Sequence, residues 1–138
     1  PATDRVVFCM IGANNKKQPD GMAQLAKDLD NLCQKVTADG NLLILMTPNP
    51  VTVANDAKEN RFFPQSEVAA VIRAAAQRWE TQVFFIDHFA RMQADCQQQG
   101  RTMEEYLQVG AGPENDGQHP GDQVYRFSFE SICQALNL

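Results

Sequence analysis

The sequence has no long apolar run and fewer basic than acidic residues, and these two features exclude several kinds of protein. No apolar segment approaches the roughly 20 residues that a helix needs to cross a bilayer, and the first residues lack the basic and apolar regions of a signal peptide. Lys and Arg number 12 against 17 Asp and Glu, which gives a net charge of −5 over 138 residues. That charge opposes binding to phosphate backbones and anionic lipids. We therefore expect a soluble chain with no membrane span and no nucleic-acid partner.

Motifs for metals and cofactors are also lacking. The chain has two histidines and four cysteines, and the cysteines stand singly, without the paired spacing of a zinc or redox site. The glycines form neither a GxGxxG motif nor a P-loop, so we expect no metal and no cofactor. Because free cysteine is among the most buried residue types, we expect small core side chains at Cys9, Cys33, Cys96 and Cys133.

Three short apolar runs indicate an α/β fold. Val6 to Ile11, Leu42 to Met46 and Val83 to Ile86 are continuous rather than alternating, which is typical of strands that are covered on both faces. Amphipathic stretches separate them. The pattern predicts a single domain over residues 1–138, a three-layer α/β/α sandwich with a parallel sheet of at least three strands.

Apolar residues at three- and four-residue steps predict the helices between and after these strands. The first begins near Gly21, and the second is expected to take Ser66 as its N-cap. A third covers about Phe89 to Gln99, and Thr102 with Glu105 fits the capping box of a short helix. A last amphipathic helix is expected near the C-terminus, with one face formed by Tyr125, Phe129, Ile132 and Leu136.

Polar side chains that follow the predicted strands are the candidate binding residues, because ligands of parallel sheets lie beyond the carboxyl ends of the strands. Gly12 and Asn14 follow the first strand, Asn49 follows the second and His88 follows the third. We assign these four as oxyanion or substrate-binding candidates. We expect His88 to line a pocket or to cap the next helix rather than to pair with Asp87, since neighbouring strand residues point to opposite faces.

The segment Asp116-Gly117-Gln118-His119 is the sharpest candidate for chemistry. A flexible glycine between the acid and the histidine lets a tight loop bring the carboxylate to the imidazole. Such a carboxylate fixes the tautomer of His119 and favours its protonated form, as a general base in acyl transfer requires. The alternative is a plain turn at Asp116-Gly117 with His119 at a helix start, and the spacing by itself favours that alternative.

Asn14 likewise has two interpretations. Asparagine commonly turns the chain after a strand. It also serves to direct a side-chain amide at a developing oxyanion, where the loss of one donor costs about 10²–10³ in rate. Taken by itself, the segment favours the turn.

Together and in this order, Gly12-Ala13-Asn14-Asn15 and Asp116-Gly117-Gln118-His119-Pro120 resemble the SGNH, or GDSL, family of esterases and deacetylases. In that family, a Gly-x-Asn-Asp motif after a strand supplies an oxyanion asparagine, and an Asp-x-x-His motif before the last helix supplies acid and base. Met46-Thr47-Pro48-Asn49-Pro50 is similar to the strand-to-proline turn between these motifs. Val83 to Asp87 is like the strand before the last loop of the family.

The resemblance implies a carboxylic-ester hydrolase, with O-acetyl groups on a carbohydrate as one candidate substrate. His119 would be the general base and then the acid, Asp116 its orienting partner and Asn14 an oxyanion donor. One departure is Asn15, which stands where the family has aspartate; we expect this change to alter local hydrogen bonding more than catalysis.

The second departure is larger, because the Gly-Asp-Ser nucleophile motif of the family is absent. The serines of the chain, none of them in that context, are Ser66, Ser128 and Ser131. Without a serine hydroxyl no acyl-enzyme forms, so we expect the isolated chain to be inactive. The first interpretation is the C-terminal part of a longer esterase whose serine lies elsewhere. The second is a relative that binds without chemistry, and the third is another α/β domain, such as a flavodoxin-like binding module.

The first strand favours the first of these interpretations. A continuous apolar strand suits the middle of a sheet, whereas an exposed apolar edge invites aggregation, and almost nothing precedes the run that begins at Val6. We therefore expect the fold to be incomplete on its N-terminal side. An upstream segment or another chain would then cover the first strand.

Overall fold

Three parallel strands form the sheet of the protein. The computed structural model describes residues 5–110 and 116–137. Strands β1 (Val6–Met10), β2 (Leu42–Met46) and β3 (Val83–Ile86) pair in the order β1-β2-β3. Their register places three residues side by side across the sheet: Val7, Leu43 and Val83. The predicted α/β fold with a parallel sheet is confirmed at this level.

Helices cover both faces of the sheet. Those of the described residues are α1 (Gly21–Ala38), α2 (Val53–Asp56), α3 (Gln65–Arg78), α4 (His88–Gln98), α5 (Met103–Tyr106) and α6 (Asp122–Leu136). On one face, α1 and α3 pack against Cys9, Leu43 and Leu45. On the other, α6 packs against Ile44 and Met46. No helix in residues 5–110 and 116–137 is long and apolar enough to cross a membrane.

The sequence pattern located the helices well but assigned one cap wrongly. Thr102 and Glu105 form the predicted capping box, and His88 starts α4 one residue before the predicted boundary. Ser66 is not the N-cap of α3, which begins at Gln65 after an extended Pro64. The physical reason is that the carboxylate of Asp56, distant in sequence, accepts the backbone N–H of Gln65 at 3.1 Å. That bond supplies the acceptor that a capping side chain would have provided.

Strand β1 differs from the expectation of a strand covered on both faces. It lies at an edge of the described sheet, and only one of its faces is packed, where Cys9 is buried. Val6, Phe8 and Met10 share the opposite face and are 50–52% exposed. Helix α6 leaves this part of the sheet open because it packs over β2 and β3 instead.

The cysteines behave largely as the sequence predicts. Cys9, Cys33 and Cys96 are buried thiols, and Cys133 is partly buried. Burial raises the pKa of the Cys33 thiol to about 11. A thiol with that pKa is protonated near pH 7 and is a poor nucleophile.

Candidate active site

A pocket of about 280 Å³ lies where the three strands end. Met10 and Met46, the last residues of β1 and β2, contribute to its wall. Four of the residues singled out from the sequence also line it: Asn14, Asn49, His88 and His119. The carboxyl-end rule for parallel sheets thus brings Asn14, Asn49 and His88 to one cavity, and His119 reaches it from the loop before α6.

Asp116 and His119 form a side-chain pair at the rim of this pocket. The Oδ1 atom of Asp116 lies 3.2 Å from Nδ1 of His119. The same carboxylate oxygen accepts the backbone N–H groups of Gln118 at 2.9 Å and of His119 at 3.1 Å. The His119 ring is 53% exposed and lines the pocket. A carboxylate on Nδ1 favours the tautomer in which Nε2 is free to accept a proton.

A glycine allows this loop to close. Gly117 has a φ of +82°, a conformation that L side chains rarely adopt. A Cβ atom at Gly117 would also lie 2.3 Å from Oγ1 of Thr52. The backbone N–H of Thr52 donates to the carbonyl of Gly117 at 2.9 Å. The glycine in the motif is therefore needed both for the turn and for its contact with the loop after β2.

Asn49 holds the same loop from inside the pocket. Its Nδ2 group donates to the carbonyl oxygens of Gln118 at 2.9 Å and of Pro50 at 2.7 Å. Asn55, in α2, adds a bond of 3.4 Å from its Nδ2 to the carbonyl of Asp116. The Asn49 amide group is thus engaged by two carbonyls, and one of these bonds holds the loop that carries Asp116 and His119.

The pKa of Asp116 reflects these contacts. Partial burial raises the pKa of Asp116. The N–H groups of Gln118 and His119 and the His119 ring lower it by more, so that the pKa falls to about 2. Because the folded pKa lies below the unfolded value of about 3.9, the stabilising contribution of the carboxylate is complete above about pH 4. It is lost as the pH falls through about 2.

We therefore expect the Asp116 carboxyl carbon to titrate with a midpoint near 2 in a ¹³C NMR experiment. The amide signals of Gln118 and His119 should move with the same midpoint, because both N–H groups donate to this carboxylate. Asp116→Asn provides the control, in which this low-pH step of the two amides disappears. A midpoint at the ordinary value for aspartate would contradict the hydrogen-bonded arrangement.

Asn14 presents a free amide to the pocket. It lies in the turn after β1, where the backbone N–H of Asn15 donates to the carbonyl of Gly12 at 2.9 Å. Its side chain is exposed and, within the residues that the structure describes, makes no hydrogen bond to the turn that it precedes. An amide placed in this way has both hydrogens available for a bound oxygen.

Gly12 does not line the pocket, although the sequence placed it among the binding candidates. It is buried with a φ of +101°. A Cβ atom there would lie 2.9 Å from Leu25 of α1 and 3.0 Å from Val68 of α3. The glycine therefore lets β1 end close against those two helices. Its contribution to the pocket is indirect, because it positions the turn that carries Asn14.

His88 lies inside the pocket and does not pair with its neighbour Asp87. The Asp87 carboxylate instead caps α4 through the N–H of Ala90 and binds Arg73 and the hydroxyl of Thr47. The His88 side chain is buried, and burial followed by the charge of Arg91 lowers its pKa. The ring is therefore neutral near pH 7, and the predicted place in the pocket wall agrees with its position.

Several pocket residues were not singled out from the sequence. Met10 and Met46 could have been found by extending the carboxyl-end rule to the strand residues themselves. Gln65, which is 1% exposed and lines the pocket, carries no sequence signal, because its burial depends on the Asp56 contact that begins α3. The remaining apolar wall comes from α4 and α6: Met92, Tyr125 and Ile132.

None of the three serines is hydrogen-bonded to His119 in the residues that the structure describes. Ser66 is exposed on α3, and Ser131 is buried in α6. Ser128 lines the pocket, but its Oγ donates to the carbonyl of Val124 at 3.0 Å, one turn earlier in α6. Within residues 5–110 and 116–137, no three His, Cys, Asp or Glu side chains come together as a metal site.

Comparisons with known proteins give no relative for this chain. No family model, no curated protein and no solved structure matches it. The function is therefore inferred from the geometry and chemistry of the pocket.

Proposed function

We propose that this chain supplies the acid–base pair and the oxyanion donor of a carboxylic-ester hydrolase of the SGNH type. His119 acts as general base and then general acid, Asp116 orients it, and Asn14 donates to the oxyanion. The observation that carries the proposal is the Asp116–His119 pair, 3.2 Å apart, on the same pocket as the free amide of Asn14.

The reaction requires a serine hydroxyl beside Nε2 of His119. Nε2 takes the hydroxyl proton as the serine oxygen attacks the ester carbonyl, and Asn14 stabilises the negative charge on the carbonyl oxygen. The imidazolium then protonates the leaving alcohol. Water attacks the acyl-serine in the same way and releases the acid. None of the three serines has the Gly-Asp-Ser context of the family or a hydrogen bond to His119, and the hydroxyl of Ser128 donates to Val124, so the proposal assigns the nucleophile to a segment or chain outside these residues.

The open face of β1 supports a partner segment. Val6, Phe8 and Met10 are about half exposed on a strand that has no neighbour on its outer side among the described residues. An apolar strand of this kind is normally paired and covered. We propose that the segment or chain that covers β1 also brings the serine, because Met10 lies on the pocket wall.

The pocket favours a small acyl group. Met10, Met46 and Met92 give it an apolar side, and its volume of about 280 Å³ suits a short ester rather than a long lipid chain. By resemblance to the family, O-acetyl groups on a carbohydrate are the substrate that we propose.

The test compares this chain with the full product of its coding sequence. We expect the 138 residues to leave p-nitrophenyl acetate intact and to resist a serine-directed phosphonate probe, and we expect the longer product to react with both. The matched control is a serine-to-alanine variant of the labelled position. Reaction of the 138-residue chain with the probe would contradict the proposal that the serine lies elsewhere.

The alternative function is a non-catalytic binding or interaction module built on the same fold. The observation that favours it concerns Ser128, the serine that lines the pocket. Its hydroxyl proton is donated to the carbonyl of Val124 and is not directed at His119. This alternative predicts no phosphonate labelling and no ester hydrolysis by the full product of the coding sequence.

A further inference from the structure

Helix α6 has an apolar face that its own domain covers only in part. Ile132 and Leu136 pack against the core of the sheet, whereas Tyr125 and Phe129, in the first half of the helix, are 55% and 66% exposed. The four residues follow one another at steps of four, three and four along the chain, which is the spacing of a helix that pairs with a neighbour along one stripe. Among the described residues, the exposed half of this stripe lacks the neighbour that its pattern predicts.

This exposed stripe stands beside the open part of the sheet. Tyr125 and Met10 both line the pocket, so the start of α6 lies at the carboxyl end of β1. The open face of β1 continues from there towards Val6, whose partner in β2 is Leu42, 44% exposed. Together these residues form a surface that we call the β1–α6 groove. Its wall is Tyr125 and Phe129, and its floor is Val6, Phe8, Met10 and Leu42.

The β1–α6 groove is large enough for a stable contact between two proteins. Its six residues are 44–66% exposed, and at about 150–250 Å² for a large side chain they leave roughly 650 Å² of apolar surface open. Two such surfaces together exceed the roughly 1,200 Å² of the smaller specific interfaces, and a monomer rarely leaves a patch of this size open.

The charges around the groove permit a second copy of the chain as the partner. None of the six residues is charged. Arg126 and Glu130, which neighbour the wall in sequence, pair with each other at 3.6 Å. The net charge of −5 is therefore not concentrated at the groove, and no like charges oppose a second copy there.

We propose that the 138 residues form a two-fold dimer in which the wall of each copy lies on the floor of the other. Floor and wall match in spacing, because alternate residues of a strand are about 6.7 Å apart and residues four apart in a helix are separated by about 6 Å along its axis. With the two-fold axis along the strands, Tyr125 of one copy lies on Met10 of the other, and Phe129 lies on Phe8. Each contact occurs twice, so the assembly closes at two copies.

The dimer goes beyond the proposed function, in which a serine-bearing segment or chain covers β1. Both coverings use the same floor, so they exclude each other. A second copy adds no serine in the Gly-Asp-Ser context. We therefore expect the dimer for the 138-residue chain, and we expect the serine-bearing segment to take its place in the full product.

Sedimentation velocity of the 138-residue chain over about 1–100 µM tests the dimer. We expect a monomer–dimer equilibrium with a Kd of about 1–10 µM, as for an interface at the lower end of the standard size. Phe8→Lys and Phe129→Glu should each weaken the dimer at least ~30-fold, because each places a charge in an apolar contact. Val53→Lys is the matched control and should keep the Kd, since Val53 is an 82% exposed residue of α2 outside the groove.

A mixture of the two variants shows which surfaces meet. In an equal mixture of Phe8→Lys and Phe129→Glu, the new cation of one copy faces the new anion of the other, and the second contact keeps both phenylalanines. We expect this mixture to dimerise with a Kd within about 10-fold of the unaltered chain, although each variant alone is monomeric. Circular dichroism verifies the fold of each variant.

Four outcomes would overturn the dimer. They are an unaltered chain that stays monomeric at about 100 µM, assembly beyond two copies, a dimer that both variants retain, and folded variants that fail to pair when mixed. The first two concern the unaltered chain and do not depend on the folding of any variant.

The result is separable from the fate of the proposed function. Dimerisation is measured with no ester and with no serine-bearing segment. Hydrolysis by the full product, together with a monomeric 138-residue chain, would overturn the dimer and leave the hydrolase proposal intact. A dimer together with an inactive full product would do the reverse.

Discussion

Replacing His119 with alanine will reduce ester hydrolysis by the serine-containing product by at least about 10³-fold in kcat. Loss of a general base alone costs about 10²–10⁴ in rate. Because the members of such a site act as a unit, the serine then has nothing to take its proton. The measurement is the turnover of p-nitrophenyl acetate. The KM should change little, since the pocket wall below the ring remains.

The exposure of the ring supplies a control for folding. Half of the His119 side chain reaches solvent, so its removal leaves a gap that is open to small molecules. Added imidazole should therefore restore part of the activity of His119→Ala, and it should leave the unaltered protein unaffected. Hydrolysis that survives His119→Ala without imidazole would disprove the role that we assign to this residue.

The fold could be predicted because its signals are local. The strands Leu42–Met46 and Val83–Ile86 are continuous apolar runs that fall between helical stripes, and each has the predicted bounds. The helix start at Gln65 was missed because its acceptor, Asp56, is distant in sequence. That β1 lies at the edge of the described sheet could not be read from periodicity, which does not encode the order of pairing; only the lack of chain before Val6 pointed to a strand without its cover.

The candidate site could be predicted in part for a related reason. Asn14, Asn49 and His88 were found because chain direction places strand ends together, and His119 was found from its spacing to Asp116. The hydrogen bonds of each side chain could not be predicted: Asn49 donates to the distant carbonyl of Gln118, whereas the side chain of Asn14 does not cap the turn that follows it. The contribution of Lys16 was not visible either, because a lysine in a polar turn is usually solvated.

Lys16 is the least expected buried group near the site. Its side chain is 0% exposed, and its Nζ lies 3.1 Å from Oδ1 of Asp56 and 3.4 Å from Oδ1 of Asn55. Burial lowers its pKa, and Asp56 opposes that shift. Lys16 follows the turn that holds Asn14, while Asn55 bonds to the carbonyl of Asp116. The buried cation therefore links, through Asn55, the turn that holds Asn14 to the loop that holds Asp116.

Asp56→Ala will lower the free energy of unfolding by about 3 kcal/mol. Removing one partner of a buried ion pair costs about 3–5 kcal/mol. The lower end applies because the Asp56 side chain is 25% exposed. The substitution also removes the acceptor for the backbone N–H of Gln65. Urea unfolding followed by circular dichroism measures the change, and Arg78→Met, which breaks an exposed pair with Asp30, should cost less than about 1 kcal/mol.

A second substitution shows whether the cost comes from the uncompensated charge of Lys16. In Lys16→Met/Asp56→Ala the charge is absent, so we expect the double variant to be more stable than Asp56→Ala by at least about 1 kcal/mol. The loss in Asp56→Ala should also shrink as the pH rises towards about 10, because Asp56 raises the pKa of Lys16 and its removal lowers that pKa further. Burial holds the pKa of Lys16 in the folded chain below the unfolded value of about 10.4. The unfolded state then binds more protons in this range, and stability rises with pH. If the double variant is no more stable than Asp56→Ala, the cost of losing Asp56 comes from its contact with Gln65 and not from the charge of Lys16.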